Sequence, residues 1–292
     1  MKELFVAYLY KLRHDLAFRI TLFIGVGLAL FLSLIYFGLS FALEAEMITG
    51  TTMFISSLSP TQNFGLAIPV NLITFTVMEF SQGGIRNKII GGHSKAQVYT
   101  SLVLNGLVFT FALMIVYSLL CLGLGAGLGA IITLMNPDWS EVGSISLSTL
   151  SMTSGYADGY FVKLIFSAVV CYISIGSFTV FFATLFRSVG PCIPVIIITL
   201  IFLSLACTII SLIGLDKEEV LWAGRILDPL FPLNAGEYIE ISKGTNEFGY
   251  ENIERLSTIH NETFVSGICS NLVYAALFFG GGLLIFAKRD IK

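Results

Sequence analysis

Charge is scarce in this chain, and histidine is scarcer still. Asp, Glu, Lys and Arg make up 12% of the 292 residues, against about 25% in ordinary soluble domains, and only three histidines occur. None of His14, His93 and His260 stands in a spacing typical of a zinc site, and the nucleotide-binding pattern G-x-x-x-x-G-K-[ST] does not occur. The sequence therefore predicts no catalytic site, no metal site and no cofactor-binding site.

Apolar residues are correspondingly abundant. They make up 55% of the chain, and the mean hydropathy of +0.87 is typical of an integral membrane protein. Six uncharged stretches exceed the roughly 20 residues that cross a bilayer. We therefore predict an all-α membrane domain with six transmembrane helices, near residues 20–43, 62–80, 96–122, 162–185, 191–213 and 264–287. The five cysteines fall inside these spans, which favours apolar packing over disulfides or metal binding.

Basic residues distinguish the two sides of the predicted membrane domain. With six spans, 11 of the 16 Lys and Arg residues lie on the side of the termini, and five lie on the other. Because an excess of basic residues marks the cytoplasmic side, we expect both termini to be cytoplasmic. The first apolar run is too long for the core of a signal peptide, so we expect it to remain as an anchor.

The N-terminal residues 1–18 have the spacing of an amphipathic helix. Leu4, Tyr8 and Leu12 recur at helical intervals, while Lys2 and other charged residues fall mostly elsewhere. We expect this helix to lie on the inner leaflet with its cations facing anionic lipid headgroups. A plain solvated approach to the first span is the alternative.

Two segments on the opposite side are too long to be simple turns. Residues 214–262 are acidic and contain short helical fragments that Pro229 and Pro232 end, so we expect a small helical extracytoplasmic segment here. Residues 123–135, GLGAGLGAIITLM, stay apolar after the third span should have ended. Their small residues fit either a re-entrant stretch or an ordinary packed helix.

The interiors of the predicted spans carry amides and hydroxyls but no ionisable side chain. Asn71, Asn105 and Asn271 are candidates for hydrogen bonds between helices. An ion-coupled transporter normally carries buried ionisable groups, and only Glu79, at the end of the second span, comes close. A secondary transporter driven by an ion gradient is an alternative hypothesis, which the uncharged span interiors oppose. A non-transporting membrane sensor or scaffold is another.

Between the second and third spans the chain reads EFSQGGIRNKIIGGHSKAQVY, residues 79–99. Residues 82–90 predict a two-turn amphipathic helix, which Gly91 and Gly92 end. Ser94 and Gln97 then resemble a capping box that opens the third span. A short helix in this position is suited to dock into a groove on a soluble partner. A membrane-surface turn with ordinary positive charge is the alternative.

The stretch resembles the coupling region of the ABC type-2 permeases, the membrane subunits of ATP-driven exporters. In that family an acidic residue ends the second span, a G-x-I-R-N-K-like helix follows, and a glycine break precedes the third span. The resemblance implies a homodimer or sibling heterodimer of permeases, bound to two copies of a cytoplasmic ABC ATP-binding subunit that carries ATP and Mg. It implies a multi-pass protein of a bacterial cell membrane, without its own ATPase site and without a nucleic-acid partner.

Carried over by position, the resemblance assigns a coupling role to one run of residues and a hinge or cap role to its end. The coupling residues are Glu79, Gln82, Gly83, Gly84, Ile85, Arg86, Asn87, Lys88, Ile89 and Ile90, and the hinge residues are Gly91, Gly92 and Ser94. Arg86 and Lys88 would lie at the ATPase surface, and Glu79 would lie at the hinge. From the uncharged spans and 25 phenylalanines we expect an apolar or amphipathic cargo, such as a drug, a lipid-like molecule or a hydrophobic or antimicrobial peptide.

Overall fold

The computed structural model describes residues 2–14, 16–42, 50–58, 67–135, 159–186, 188–213, 237–245, 251–259 and 261–288. Helices predominate in these residues, and one pair of strands accompanies them. In chain order the elements are α1 (Lys2–His14), α2 (Leu16–Ala42), α3 (Gly50–Leu58), α4 (Ala67–Ser81), α5 (Gly84–Ile90), α6 (Lys95–Met135), α7 (Tyr160–Leu185), α8 (Val189–Ile213), β1 (Glu237–Thr245), β2 (Glu251–Thr258) and α9 (Asn261–Lys288).

Four of the described helices contain segments long and apolar enough to cross a membrane. These segments are Phe18–Leu39 in α2, Lys95–Ile132 in α6, Tyr160–Leu185 in α7 and Phe264–Lys288 in α9. Two shorter apolar segments, Ile68–Ser81 in α4 and Val189–Phe202 in α8, coincide with the predicted second and fifth spans. The chain thus has the character of a multi-pass membrane protein, and the count of six spans stays a prediction.

Helix α6 is longer than the predicted third span. It runs unbroken from Lys95 to Met135, 41 residues or about 62 Å, which is twice the thickness of a hydrocarbon core of about 30 Å. Residues 123–135 continue this helix, so the structure shows the ordinary helical extension and not a re-entrant stretch. Helix α3, which the sequence did not predict, packs against α6 and buries Met53 and Leu58.

The segment before α9 departs from the predicted helical cap. Strands β1 and β2 pair antiparallel, with Glu237 opposite Thr258 and Glu240 opposite Arg255. The helical expectation is therefore wrong for these residues. A period-two pattern was present in EYIEIS, where Ile239 and Ile241 alternate with polar residues, and it favours a strand. Pro229 and Pro232, at which the expected helical fragments end, lie outside the described residues.

Two lysine hydrogen bonds show which helix ends lie together. Lys95 Nζ at the start of α6 donates to the Ala287 carbonyl at the end of α9, at 3.1 Å. Lys163 Nζ at the start of α7 donates to the Ile259 carbonyl just before α9, at 2.7 Å. Helix α1 is ion-paired to the end of α4, which leads through α5 into α6. Both ends of the described chain therefore lie at one end of the helix bundle, and its cytoplasmic assignment stays a prediction.

The centre of the bundle is a close contact of α4, α6 and α7. A Cβ added at Gly106 of α6 would lie 3.3 Å from a methyl of Leu72 in α4 and 3.4 Å from a methyl of Val180 in α7. A second apolar cluster joins α4 to α8 through buried side chains that include Ile73 and Ile196. Helix α4 is thus fixed against three neighbours, which makes it a rigid base for the segment that follows it.

At two of the three predicted amides, the side-chain N–H donates to a carbonyl of its own helix. The Asn105 side-chain amide donates to the Ser101 carbonyl at 2.8 Å, and that of Asn271 donates to the Gly267 carbonyl at 3.0 Å. The carbonyl four residues earlier is always within reach, so a helix satisfies such a donor without any neighbour. Asn71 is half-buried in α4.

Gly282 of α9 is packed directly against Tyr99 of α6. A Cβ at this position would overlap the Tyr99 hydroxyl, and the ring is confined between Phe279 and Phe286. We expect Gly282→Ala to lower the free energy of unfolding by about 1–2 kcal/mol through overpacking, measured by unfolding of the full chain in detergent. Gly280→Ala, where a Cβ has open space, is the control. Adding Tyr99→Phe should restore part of the loss, and equal effects of the two alanines would contradict the close contact.

Candidate functional site

The short helix α5 lies where the sequence predicted it, two residues shorter at its start. Gln82 and Gly83 form a turn after α4, in which the Gln82 N–H donates to the Met78 carbonyl at 2.9 Å. Gly83 has φ 70°, in the left-handed region that glycine enters without steric cost. Helix α5 then begins at Gly84, and the Asn87 N–H donates back to the Gly83 carbonyl at 2.9 Å.

The predicted glycine stop at the end of α5 is confirmed. The Gly92 N–H donates to the Ile89 carbonyl at 3.0 Å, and the His93 N–H donates to the Lys88 carbonyl at 3.3 Å. This pair of bonds is a Schellman motif, which requires a left-handed residue, and Gly92 has φ 92°. Helix α5 is therefore bounded on both sides by glycines in the left-handed conformation.

Replacing Gly92 with alanine should strain this end of α5. An alanine in the left-handed region costs roughly 1–2 kcal/mol, so we expect Gly92→Ala to lower the unfolding free energy by about that amount. Asparagine tolerates the same conformation, and Gly92→Asn should recover most of the loss. Unfolding of the full chain in detergent measures both. Equal losses for alanine and asparagine would show that the backbone conformation of this residue is not what matters.

The predicted capping box at the start of α6 is also confirmed. The Gln97 N–H donates to Ser94 Oγ, and the Ser94 N–H donates to Gln97 Oε1, each at 3.2 Å. The two residues thus satisfy each other's free backbone donors at the helix start. Because only Gly91, Gly92 and His93 precede the cap, α5 and α6 are joined by a short and well-defined connection.

The end of α4 carries a buried carboxylate that joins three helices. Glu79 is 1% exposed. Its Oε1 accepts a hydrogen bond from Lys11 Nζ of α1 at 2.5 Å, and its Oε2 accepts one from Lys88 Nζ of α5 at 2.6 Å. We call Glu79, Lys11 and Lys88 the Glu79 triad. It holds the N-terminal helix and the short helix to the same point on α4.

An aromatic ring lies against the Lys88 ammonium. Its Nζ lies 3.3 Å from the centroid of the Tyr8 ring, close enough for a cation–π interaction. Burial lowers the pKa of Lys88, and the hydrogen bond to Glu79 opposes that effect. Burial, with the nearby Glu79 charge, raises the pKa of the Tyr8 hydroxyl. Tyr8 also meets Phe75 of α4 edge-on, so the Tyr8 ring contacts both Lys88 of α5 and Phe75 of α4.

Helix α5 has one buried and one exposed face. Ile85 is buried, and Ile89 packs partly against the same core. Arg86, Asn87 and Ile90 are exposed and form the face that a partner could contact. The short helix is thus amphipathic, as its sequence predicted, and presents one cation and one large apolar side chain outward.

The triad places two of the predicted coupling residues in contact. The Lys88 ammonium turns inward because a buried carboxylate lies within reach. Glu79 lies just before the turn that follows α4, as expected for a hinge position, and is paired with a lysine on each oxygen. The pairing with Lys11 was not predicted, because Lys11 lies 68 residues from Glu79. Its signal was present in the sequence, since Leu4, Tyr8 and Lys11 follow one another on a single helical face.

A cleft of about 530 Å³ separates α1 from α5 beside the triad. Its lining is mixed in charge and comprises Glu3, Leu4, Ala7, Lys11, Glu79, Gly84, Asn87, Lys88, Gly91 and His93. The opposite charges in this lining balance, so the cleft itself does not attract ions of one sign. The described residues of this cleft include no nucleophile with an adjacent base, and their ion pairs connect α5 to α4 and α1.

Comparison with protein-family models, with curated proteins and with solved structures found no match to this chain. The resemblance to the ABC type-2 permeases therefore rests on residues 79–99 and on the arrangement of the helices. The function is argued below from the geometry of the Glu79 triad and α5.

Proposed function

We propose that this chain is the membrane-spanning permease subunit of an ABC exporter, which moves an apolar or amphipathic cargo using ATP hydrolysed by a separate cytoplasmic subunit. The observation that carries the proposal is α5. A short amphipathic helix stands between two apolar helices, is bounded by left-handed glycines, and is tied to a buried carboxylate. Its exposed face, Arg86, Asn87 and Ile90, is the docking surface for the ATP-binding subunit.

The Glu79 triad gives this docking helix a mechanical connection to the membrane domain. A displacement of α5 reaches α4 through Lys88 and Glu79, and it reaches α1 through Lys11. The glycine turns at Gly83 and Gly92 allow α5 to tilt as a unit, while the ion pairs keep it attached. Nucleotide-driven motion of a partner would thereby change the packing of the spans.

The proposed assembly follows the family pattern. Six spans place both termini and α5 in the cytoplasm, and two permease subunits, identical or siblings, bind two ATP-binding subunits that hold ATP and Mg. The cargo path would lie between the permeases in the cell membrane. The acidic residues of the segment between the fifth and sixth spans suggest a cationic peptide among the possible cargoes.

Co-purification tests this function directly. Expressed together with its neighbouring genes, the tagged chain should retain a protein of about 25–35 kDa, the size of one or two domains, with ATPase activity. Arg86→Glu combined with Ile90→Asp should abolish that retention, because both changes alter the exposed face of α5. Lys288→Glu, an exposed charge reversal at the same end of the bundle, is the matched control. A complex without an ATPase, or one unaffected by the α5 changes, would refute the proposal.

Ion-coupled transport is the weaker hypothesis on this geometry. In the described parts of α2, α4 and α6–α9, ionisable Asp, Glu, Lys and Arg side chains stand only near the helix ends. Glu79 is buried, but both of its oxygens are occupied by lysine ammonium groups. A carboxylate held in this way is poorly placed to coordinate a sodium ion. Cargo movement driven by an ion gradient without ATP would reverse this preference.

A further inference from the structure

A second groove, of about 400 Å³, lies in the angle between α4 and the junction of α1 with α2. The end of α1 and the start of α2 form one wall of the groove, since His14 and Leu16 both line it. The C-terminal part of α4 and the turn after it form the opposite wall, with side chains at intervals of three and four residues. These wall residues are Phe75, Met78 and Gln82.

The lining of the groove has a polar part and an apolar part. Lys11, His14 and Gln82 form the polar part, and Lys11 Nζ donates to Gln82 Oε1 at 3.4 Å, which bridges the two walls. Leu16 and Met78, which are exposed, and the buried Phe75 form the apolar part. Exposed apolar side chains next to cationic and amide groups match a lipid, whose headgroup and acyl chain meet in the same way.

The charge of the polar part favours an anion. Among the described residues, the lining contains the Lys11 ammonium and no carboxylate. Lys11 is paired with Glu79, but the same carboxylate also serves Lys88, so the triad retains one unit of positive charge. Lys11 is 42% exposed, which leaves its ammonium accessible from the groove. Among the described residues, no carboxylate lines the groove to balance this positive charge.

We propose that this groove binds one anionic phospholipid. Its phosphate receives hydrogen bonds from the Lys11 ammonium and the His14 imidazole, and an acyl chain lies along Leu16, Met78 and Phe75. The lipid would hold α1 against the membrane directly beside the Glu79 triad. This inference requires that the bundle lies in a bilayer, and it does not depend on ATP-driven export.

The test compares two lipids with identical acyl chains, phosphatidylglycerol and phosphatidylcholine, added to the full chain in detergent and counted by native mass spectrometry. Phosphatidylglycerol should bind more tightly. His14→Gln should weaken phosphatidylglycerol binding about five-fold, because the imidazole contact to the phosphate is lost. Met78→Gln should weaken both lipids, because it removes apolar contact. Arg86→Gln, on the exposed face of α5 and outside the groove, should leave both affinities unchanged.

Three results would overturn the proposal. The first is equal affinity for the two lipids. The second is an equal effect of Arg86→Gln and His14→Gln, which would indicate general surface attraction. The third is displacement of phosphatidylglycerol by millimolar inorganic phosphate, which would indicate a site for free anions. Circular dichroism of each variant verifies folding, and since no ATPase is needed, failure here is separate from failure of the proposed function.

Discussion

Replacing Glu79 with glutamine is expected to release α1 and α5 from α4 and to lower the free energy of unfolding by about 3 kcal/mol. The change leaves two ammonium groups without a carboxylate, and the Lys88 side chain is only 20% exposed. Losing one member of a buried ion pair costs about 3–5 kcal/mol, and the lower end applies because Lys11 reaches solvent. Chemical unfolding of the full chain in detergent measures the difference.

Glu3→Gln provides the matched control for this change. Glu3 lines the same cleft but is exposed, so its replacement should change stability little. Combining Glu79→Gln with Lys88→Met should recover part of the loss, since a buried ammonium without a partner is the costliest remnant. If Glu79→Gln proves as mild as Glu3→Gln, the triad contributes nothing to the structure and cannot connect α5 to the spans.

Glu79→Gln also distinguishes binding of the ATP-binding subunit from coupling of its motion to the spans. The face of α5 proposed to bind the ATP-binding subunit does not include Glu79, so the ATPase should still co-purify with Glu79→Gln. Export should fall, because displacement of α5 no longer reaches α4 and α1. Normal export by a complex that lacks the Glu79 carboxylate would contradict the role proposed for the triad.

Replacing Gly84 with alanine is expected to lower the unfolding free energy by about 2 kcal/mol, although alanine is the better helix former. A Cβ at Gly84 would lie 2.6 Å from Glu79 Oε2 and 3.2 Å from the carboxyl carbon. The carboxylate is held by Lys11 and Lys88, so it moves aside only by lengthening both ion pairs. Unfolding of the full chain in detergent gives the value.

Gly91→Ala is the control at the other end of α5. A Cβ there would stand 3.4 Å from the carbonyl oxygens of Asn87 and Lys88, so this substitution should have a small effect. The cost of Gly84→Ala should shrink when Glu79 is already glutamine, because the triad is then broken and the two changes are not additive. Stabilisation by Gly84→Ala, as helix propensity alone predicts, would show that α5 does not press against the carboxylate.

Local signals account for the parts of the site that could be predicted from sequence. Gly92 ends α5 because the left-handed backbone conformation it adopts is costly for other residues. Ser94 and Gln97 cap α6 because their side chains reach backbone groups three residues away. Each of these predictions rests on interactions within one or two helical turns, which a short stretch of sequence contains in full.

The remaining features depend on which elements approach one another in space. Uncharged runs predict apolar helices, but they do not set where α6 ends, since its extension is apolar as well. The β-hairpin was missed because the alternating pattern that favours a strand covers only a few residues, EYIEIS. Packing decides such cases when local preferences are weak or conflicting.

Sequence alone determined the class of this protein, an apolar helical chain of membrane character with a short glycine-bounded helix after α4. Helical periodicity, absence of charge and capping are local and additive along the chain, and so they can be read directly. Only the tertiary structure decided that Glu79 forms ion pairs with Lys11 and Lys88. Burying that carboxylate is favourable only where cations from two other helices reach it, and their approach is a property of the folded bundle.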